Sequence, residues 1–176
     1  MTGPKVIGLD LSLTCSGIAG IGWTDTIRPG AKLRGHERLQ WIQERVGDFV
    51  RTSDLVIVEG PSYGNQGQQR QSGHHERAGL WWLITQTLWT IKTPFAVVTP
   101  AGRAKYATGR GNAAKADVVR EVTRRFDWFD GGEDEADALI LAAMGADHLG
   151  HPMVVMPKLH RDALDAVAWP EAVMAA

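Results

Sequence analysis

Four acidic residues in this chain stand where their surroundings give a carboxylate work to do. Asp10 closes the apolar run Val6-Ile7-Gly8-Leu9, and Glu59 closes Leu55-Val56-Ile57-Val58. Asp134 and Asp137 are three apart in a stretch that turns Ala-rich, so on a helix they share a face. Burying a carboxylate costs free energy unless it is paired, hydrogen-bonded or bound to a cation. Two readings of Asp10 are open: an acid accepting hydrogen bonds from the Ser/Thr/Gly turn that follows it, or a metal ligand or acid/base at a sheet edge. Asp134 follows the Gly131-Gly132 break and has an N-capping reading of its own. Brought together, four carboxylates would repel, and without a cation one would have to hold a proton. An all-oxygen donor set, with no His or Cys cluster, favours Mg²⁺ or Mn²⁺ over zinc.

A basic segment precedes the acidic pair: Arg103, Lys105, Arg110, Lys115, Arg120, Arg124 and Arg125. Lys and Arg side chains hold phosphates and so position a nucleic-acid backbone without reading its sequence. For Arg120, Arg124 and Arg125 a solvated helix face with i,i+4 pairing is an adequate account. Lys105 and Lys115 bracket the turn Gly109-Arg110-Gly111-Asn112, which a solvated face explains less well. No G-x-G-x-x-G fingerprint or P-loop is present.

The elements that must carry these residues follow from apolar spacing. Strands are expected at 6–10, 17–23 and 24–28, the last ended by Pro29-Gly30, as an antiparallel meander. Leu39, Ile42, Val46, Phe49 and Val50 keep helical spacing over 36–51. A strand at 55–59 leads into 60–73, a polar Gly/Gln-rich stretch of the kind that forms a mobile, functional loop. Residues 74–91 read as a helix apolar on more than one side, and 95–98 as a short strand. Thr99 caps a helix that has Pro100 at its first position. The turn at 108–112 interrupts that helix, which resumes over 113–126. A core helix spans 134–144, and the tail beyond 150 carries a short helix at 161–168. The fold class expected is α/β, a mixed five-stranded sheet flanked by helices, with one main domain over 1–150 and a C-terminal tail over 151–176.

The totals narrow the function classes. A chain of 176 residues, 44% apolar and 22% charged, is one ordinary globular domain rather than a disordered one. No apolar run reaches membrane-spanning length, and residues 1–5 show no signal-peptide pattern. A single cysteine, Cys15, excludes an internal disulfide and suits a reducing cytoplasm; it is read as a small core filler. A net charge of −1 means that any nucleic-acid role rests on a local basic patch. His74 and His75 are read as surface residues.

Five motifs occur here in a familiar order: Ile7-Gly8-Leu9-Asp10 with its turn, Val58-Glu59, Val98-Thr99-Pro100 through Lys105, Thr108-Gly-Arg-Gly-Asn-Ala-Ala-Lys115, and Asp134-x-x-Asp137-Ala138-Leu139. Jointly they resemble the RuvC-type Holliday-junction resolvases, over roughly residues 5 to 148. The resemblance implies a ribonuclease H-like fold and a homodimeric, metal-dependent endonuclease that nicks a four-way DNA junction symmetrically, with two Mg²⁺ or Mn²⁺ ions per site. It implies Asp10, Glu59, Asp134 and Asp137 as metal-binding acids, with Lys105 and Lys115 at the scissile region. Tyr63 corresponds to an aromatic near the junction centre. Arg70, Arg103, Arg110 and Asn112 are further candidate DNA contacts. The Gln/Gly-rich loop and the tail look closer to phage-encoded relatives, which implies a bacterial host cytoplasm and leaves other branched DNA open as a substrate.

The chemistry so implied is two-metal phosphodiester hydrolysis, in which paired cations clamp the attacking and leaving oxygens. Asp10 would bridge both ions, Glu59 hold one, and Asp137 with Asp134 the other. Three other readings compete: a nuclease for forks and branched DNA generally, a non-catalytic junction-binding protein, and an actin-like kinase, for which the chain is too short. The helix with Trp81, Trp82 and Trp89 is apolar beyond the needs of a monomer core and is expected at the dimer interface.

Overall fold

The computed structural model describes residues 3–61 and 73–171. In chain order it contains β1 (Val6–Asp10), β2 (Ser16–Gly20), β3 (Trp23–Ile27), α1 (Gly35–Val50), β4 (Leu55–Glu59), α2 (His74–Thr90), β5 (Phe95–Val98), α3 (Pro100–Thr108), α4 (Lys115–Arg125), α5 (Glu133–His148) and α6 (Lys158–Arg161). A 3-10 turn at Leu164–Ala166 follows. The five strands form one sheet in the order β3-β2-β1-β4-β5. The β1-β2-β3 meander is antiparallel, while β4 and β5 add to β1 in parallel. This is the mixed α/β sheet expected from the pattern.

Both faces of the sheet are covered, which is why β1 and β4 read as unbroken apolar runs. Ile7, Leu9, Val56 and Val58 pack with Ile42, Val46, Leu80, Ile84 and Leu88 of α1 and α2. Val6, Leu55, Ile57 and Val98 lie on the other side, in one core with Tyr106, Val122, Leu139 and Ile140 of α3, α4 and α5. Side chains alternate along a strand. Asp10 therefore shares a face with Val6 and Gly8, and Glu59 with Leu55 and Ile57, both toward α5. The parallel register Gly8↔Ile57 and Leu9↔Val58 then sets Asp10 beside Glu59.

Helix α5 lies directly on that face, and two glycines let it do so. A Cβ on Gly8 would stand 2.1 Å from the Ala138 carbonyl oxygen, and one on Gly17 would stand 1.9 Å from that of Asp134. Ala136 through Asp147 are all buried. The small residues of α5 thus carry its first two turns against the strand ends.

Some boundaries differ from the sequence reading. The second strand stops at Gly20, not at 23, because Gly20 pairs with Trp23 across a two-residue loop in which Gly22 takes a φ of 83°. The single tail helix expected at 161–168 is replaced by α6, opened at Pro157, and the later 3-10 turn. The tail is tied to the core. Met156 and Ala163 are buried in it, Arg161 makes two bonds to buried Asp147 (3.0 and 2.9 Å), and Trp169 stacks on His148. Among the described residues no helix is long and apolar enough to cross a membrane.

Candidate active site

Three of the four predicted acids converge. Ligand oxygens of Asp10, Glu59 and Asp137 all lie within 4.8 Å of one another. Each arrives on a different element, β1, β4 and α5, and local bonding fixes the turn, strand end or helix start beside each. Beyond Asp10, the β1–β2 turn is closed by Ser16, whose hydroxyl accepts from the Ser12 N–H (2.9 Å) and donates to its carbonyl (2.8 Å). The indole of Trp81 donates to the Glu59 carbonyl oxygen at 3.0 Å, tying α2 to the end of β4. The Glu135 carboxylate accepts from the Gly132 N–H (2.8 Å) and so fixes the start of α5 one turn before Asp137.

Crowding and burial push protons onto this cluster. The Asp10 carboxyl is raised from 3.8 to about 7, first by burial and then by the charges of Glu59 and Asp137, with Arg103 opposing. Asp137 is raised to about 6, again chiefly by burial; Arg103 opposes and Glu59 reinforces. Acids that resist ionisation next to one another are what a divalent cation relieves. The oxygen donors fit a hard ion, and among the described residues no His or Cys joins them.

Asp134 stands apart from this triad. It sits in the first turn of α5, where its main chain meets Gly17 of β2. Its carboxylate faces the Cys15 thiol; burial and then Asp134 raise that thiol, while Arg28 opposes. Asp134 still adds to the negative field felt by Asp10 and Asp137. It does not cap the helix, because Gly132 holds that position. Cys15 is only half-buried and borders the acids, which corrects its reading as a core filler.

The basic residues separate into distinct groups. The Lys115 ammonium lies 3.7 Å from Glu133 and 3.9 Å from Asp137 Oδ2, on a side chain 58% exposed, so it reaches both the acids and solvent. Arg110 and Asn112 are exposed in the preceding turn, with Arg110 3.4 Å from Asp117. Arg120 bonds Asp117 at 2.7 Å, and Arg124 and Arg125 bond Glu121, the paired helix face that spacing alone explained. Lys105 is two positions beyond Arg103 and leaves α3 on another side. It joins no ion pair among the described residues.

Arg103 overturns its sequence reading as a DNA contact. Its side chain is 7% exposed; Nε donates to Glu59 Oε2 at 2.7 Å and Nη1 donates to Asp137 Oδ1. The cause is helix phase. Positions 103, 106 and 107 share one face of α3, and Tyr106 and Ala107 are buried there. That shared face is the signal by which sequence reasoning could have turned Arg103 inward. Tyr63 and Arg70 lie outside the described residues, as does most of the Gly/Gln-rich loop.

The expected tryptophan face of α2 is split. Trp81 is half-buried, whereas Trp82 and Trp89 are 67% and 63% exposed. His74 and His75 are exposed as expected.

No protein-family model matches the sequence. No curated protein matches it either. Among solved structures, the chain is similar to a Thermus thermophilus RuvC structure, with a TM-score of 0.67 and 16% identity over 87% of this chain and 99% of that one. It is equally similar to T. thermophilus RuvC in complex with a Holliday junction substrate, with a TM-score of 0.67 and 17% identity over 86% and 99% of the two chains. The fold is therefore the RuvC-like, ribonuclease H-like one that the five motifs implied.

Proposed function

We propose that this protein is a metal-dependent endonuclease that resolves four-way DNA junctions by paired, symmetric nicks. The observation that carries the reading is the convergence of Asp10, Glu59 and Asp137 at neighbouring strand and helix ends, with Lys115 beside them, on a fold shared with a RuvC bound to a Holliday junction.

On this reading Asp10, Glu59 and Asp137 would hold Mg²⁺ or Mn²⁺, two ions per site, with Asp134, one turn earlier on α5, adding negative charge from outside the triad. A metal held there would supply a nucleophilic water of lowered pKa and Lewis-acid stabilisation of the phosphate. The protein's own groups do the rest. Lys115 offers a positive charge next to Asp137, where a phosphodiester held at the acids gains negative charge as it is attacked. Arg110 and Asn112, exposed in the turn before α4, hold flanking phosphates and set the strand's register. Lys105 adds to the positive field from the far side of α3 and lies outside the acid cluster. Residues 1–150 form the nuclease unit, and the tail clamps its α3–α5 side. Two copies pair through the face of α2 that exposes Trp82 and Trp89, which supplies the two sites that symmetric nicking needs.

The test is incubation with four-way, fork, flap and linear duplex DNA, each with Mn²⁺ and with chelator. Paired, ligatable nicks on the four-way junction that vanish on chelation are expected. Equal cleavage of forks and flaps replaces the reading with a general branched-DNA nuclease. Binding without cleavage under every metal condition replaces it with a junction-binding protein.

A further inference from the structure

A phosphodiesterase reading gives Arg103 nothing to do, yet Arg103 is the cation most deeply set in the site. We propose that Arg103 is a resident counter-cation of the acid cluster, which a divalent metal displaces from Glu59 and Asp137 as it binds. This rests on the reading of Asp10, Glu59 and Asp137 as metal ligands.

The side chain is too buried for its charge to be directed at solvent or DNA. Its fork spans two elements, with Nε on the β4 acid and Nη1 on the α5 acid, and it makes no bond to Asp10. It thus takes a bridging place between ligands that approach from different sides. Glu59 Oε2 and Asp137 Oδ1 are engaged by it, while Asp137 Oδ2 faces Lys115 at 3.9 Å.

A metal ligated by the engaged oxygens would stand about 2 Å from each of them, hard against the guanidinium. Two cations that close repel strongly where water is scarce. An arginine side chain has no neutral form to retreat to in a protein. The guanidinium therefore has to move. Two consequences follow. Without metal, Arg103 keeps the acids paired and the two elements together. With metal, its removal from the cluster is a cost set against binding, so Arg103 lowers metal affinity.

The test uses the full chain with Arg103→Gln and Arg103→Lys, and Asp10→Asn as a control on the metal site itself. Mn²⁺ binding is read from the resonance of the free ion, and thermal unfolding is followed in chelator and in Mn²⁺. Arg103→Gln should bind Mn²⁺ about tenfold more tightly or better, unfold at a lower temperature in chelator and recover in Mn²⁺. Arg103→Lys, whose single point charge does not span both acids, should fall between it and the unmodified protein. Mn²⁺ affinity equal to or weaker than the unmodified protein's in both variants overturns the proposal. If Arg103→Gln does not fold in either condition, Arg103→Lys decides by the same comparison. In the unmodified protein, the Arg103 Nε–H should lose its protection from solvent exchange on saturation with Mg²⁺; retained protection overturns the displacement. Asp10 does not touch Arg103, so unchanged Mn²⁺ binding by Asp10→Asn would sink the metal-site reading instead.

Discussion

Replacing Asp10 by Asn should make the metal-free protein more stable at neutral pH, although it abolishes the proposed chemistry. The Asp10 carboxyl is raised from 3.8 to about 7 by burial and by Glu59 and Asp137. At ~1.4 kcal/mol per tenfold, that displacement corresponds to about 4 kcal/mol of strain when the group is ionised. Asp137, itself raised to about 6, shares the same repulsion, so roughly 2 kcal/mol is the safer lower figure. The sign follows from proton counts. Between about pH 4 and 7 the unfolded chain has released this proton and the native protein still holds it, so stability falls as pH rises through that window. Above about pH 7 both states are ionised and the loss levels off. A carboxamide in place of the Asp10 carboxyl does not ionise and escapes this loss. Urea unfolding in chelator should therefore show Asp10→Asn equal to the unmodified protein near pH 4 and about 2–4 kcal/mol more stable at pH 8. In thermal melts that is a rise of roughly 5–15 °C. Added Mg²⁺ should stabilise the unmodified protein and leave the variant nearly unmoved. An Asp10→Asn protein that is less stable than its parent at pH 8, or that keeps the parent's pH dependence between 4 and 7, would refute the account of a crowded, desolvated acid cluster.

Other perturbations test the scaffold around it. Gly8→Ala sets a Cβ 2.1 Å from a backbone oxygen of α5 and should cost about 3 kcal/mol in urea unfolding, with weakened Mn²⁺ binding as Asp137 is pushed from Asp10. Tyr106→Phe removes the hydroxyl that donates to buried Asp147 at 2.9 Å. It should cost about 1–2 kcal/mol, measured the same way, and a neutral result would mean that Arg161 alone satisfies Asp147. Trp82→Glu places a charge on the exposed face of α2 and should convert a dimer to monomers in sedimentation; an unchanged dimer removes Trp82 from the interface.

Legible in the sequence is whatever period and register determine. Strands β4 and β5 match their expected bounds, and Asp10 and Glu59 meet because equal parity on two parallel strands leaves them nowhere else to point. The pair Asp134 and Asp137 reads as a unit because i and i+3 share a helix face, but that rule is silent on where along the helix a partner sits. Helix α5 crosses the sheet so that Asp134 lies over Gly17 on β2, whereas Asp137 reaches Arg103 and Glu59. Only the tertiary path of the helix makes that distinction.

The basic segment shows the same limit from the other side. Arg103, Lys105 and Lys115 look alike in a charge count, yet helix phase sends Arg103 in with Tyr106 and Ala107 and sends Lys105 elsewhere. Lys115, at the start of the next helix, comes back to Asp137 from the solvent side. Two cations therefore address one acid by different routes. The buried one is held by the fold, and the exposed one, on the function proposed, is the one that follows a phosphate. Charge at a site of this kind is best read by asking which cation a ligand must displace and which it can recruit.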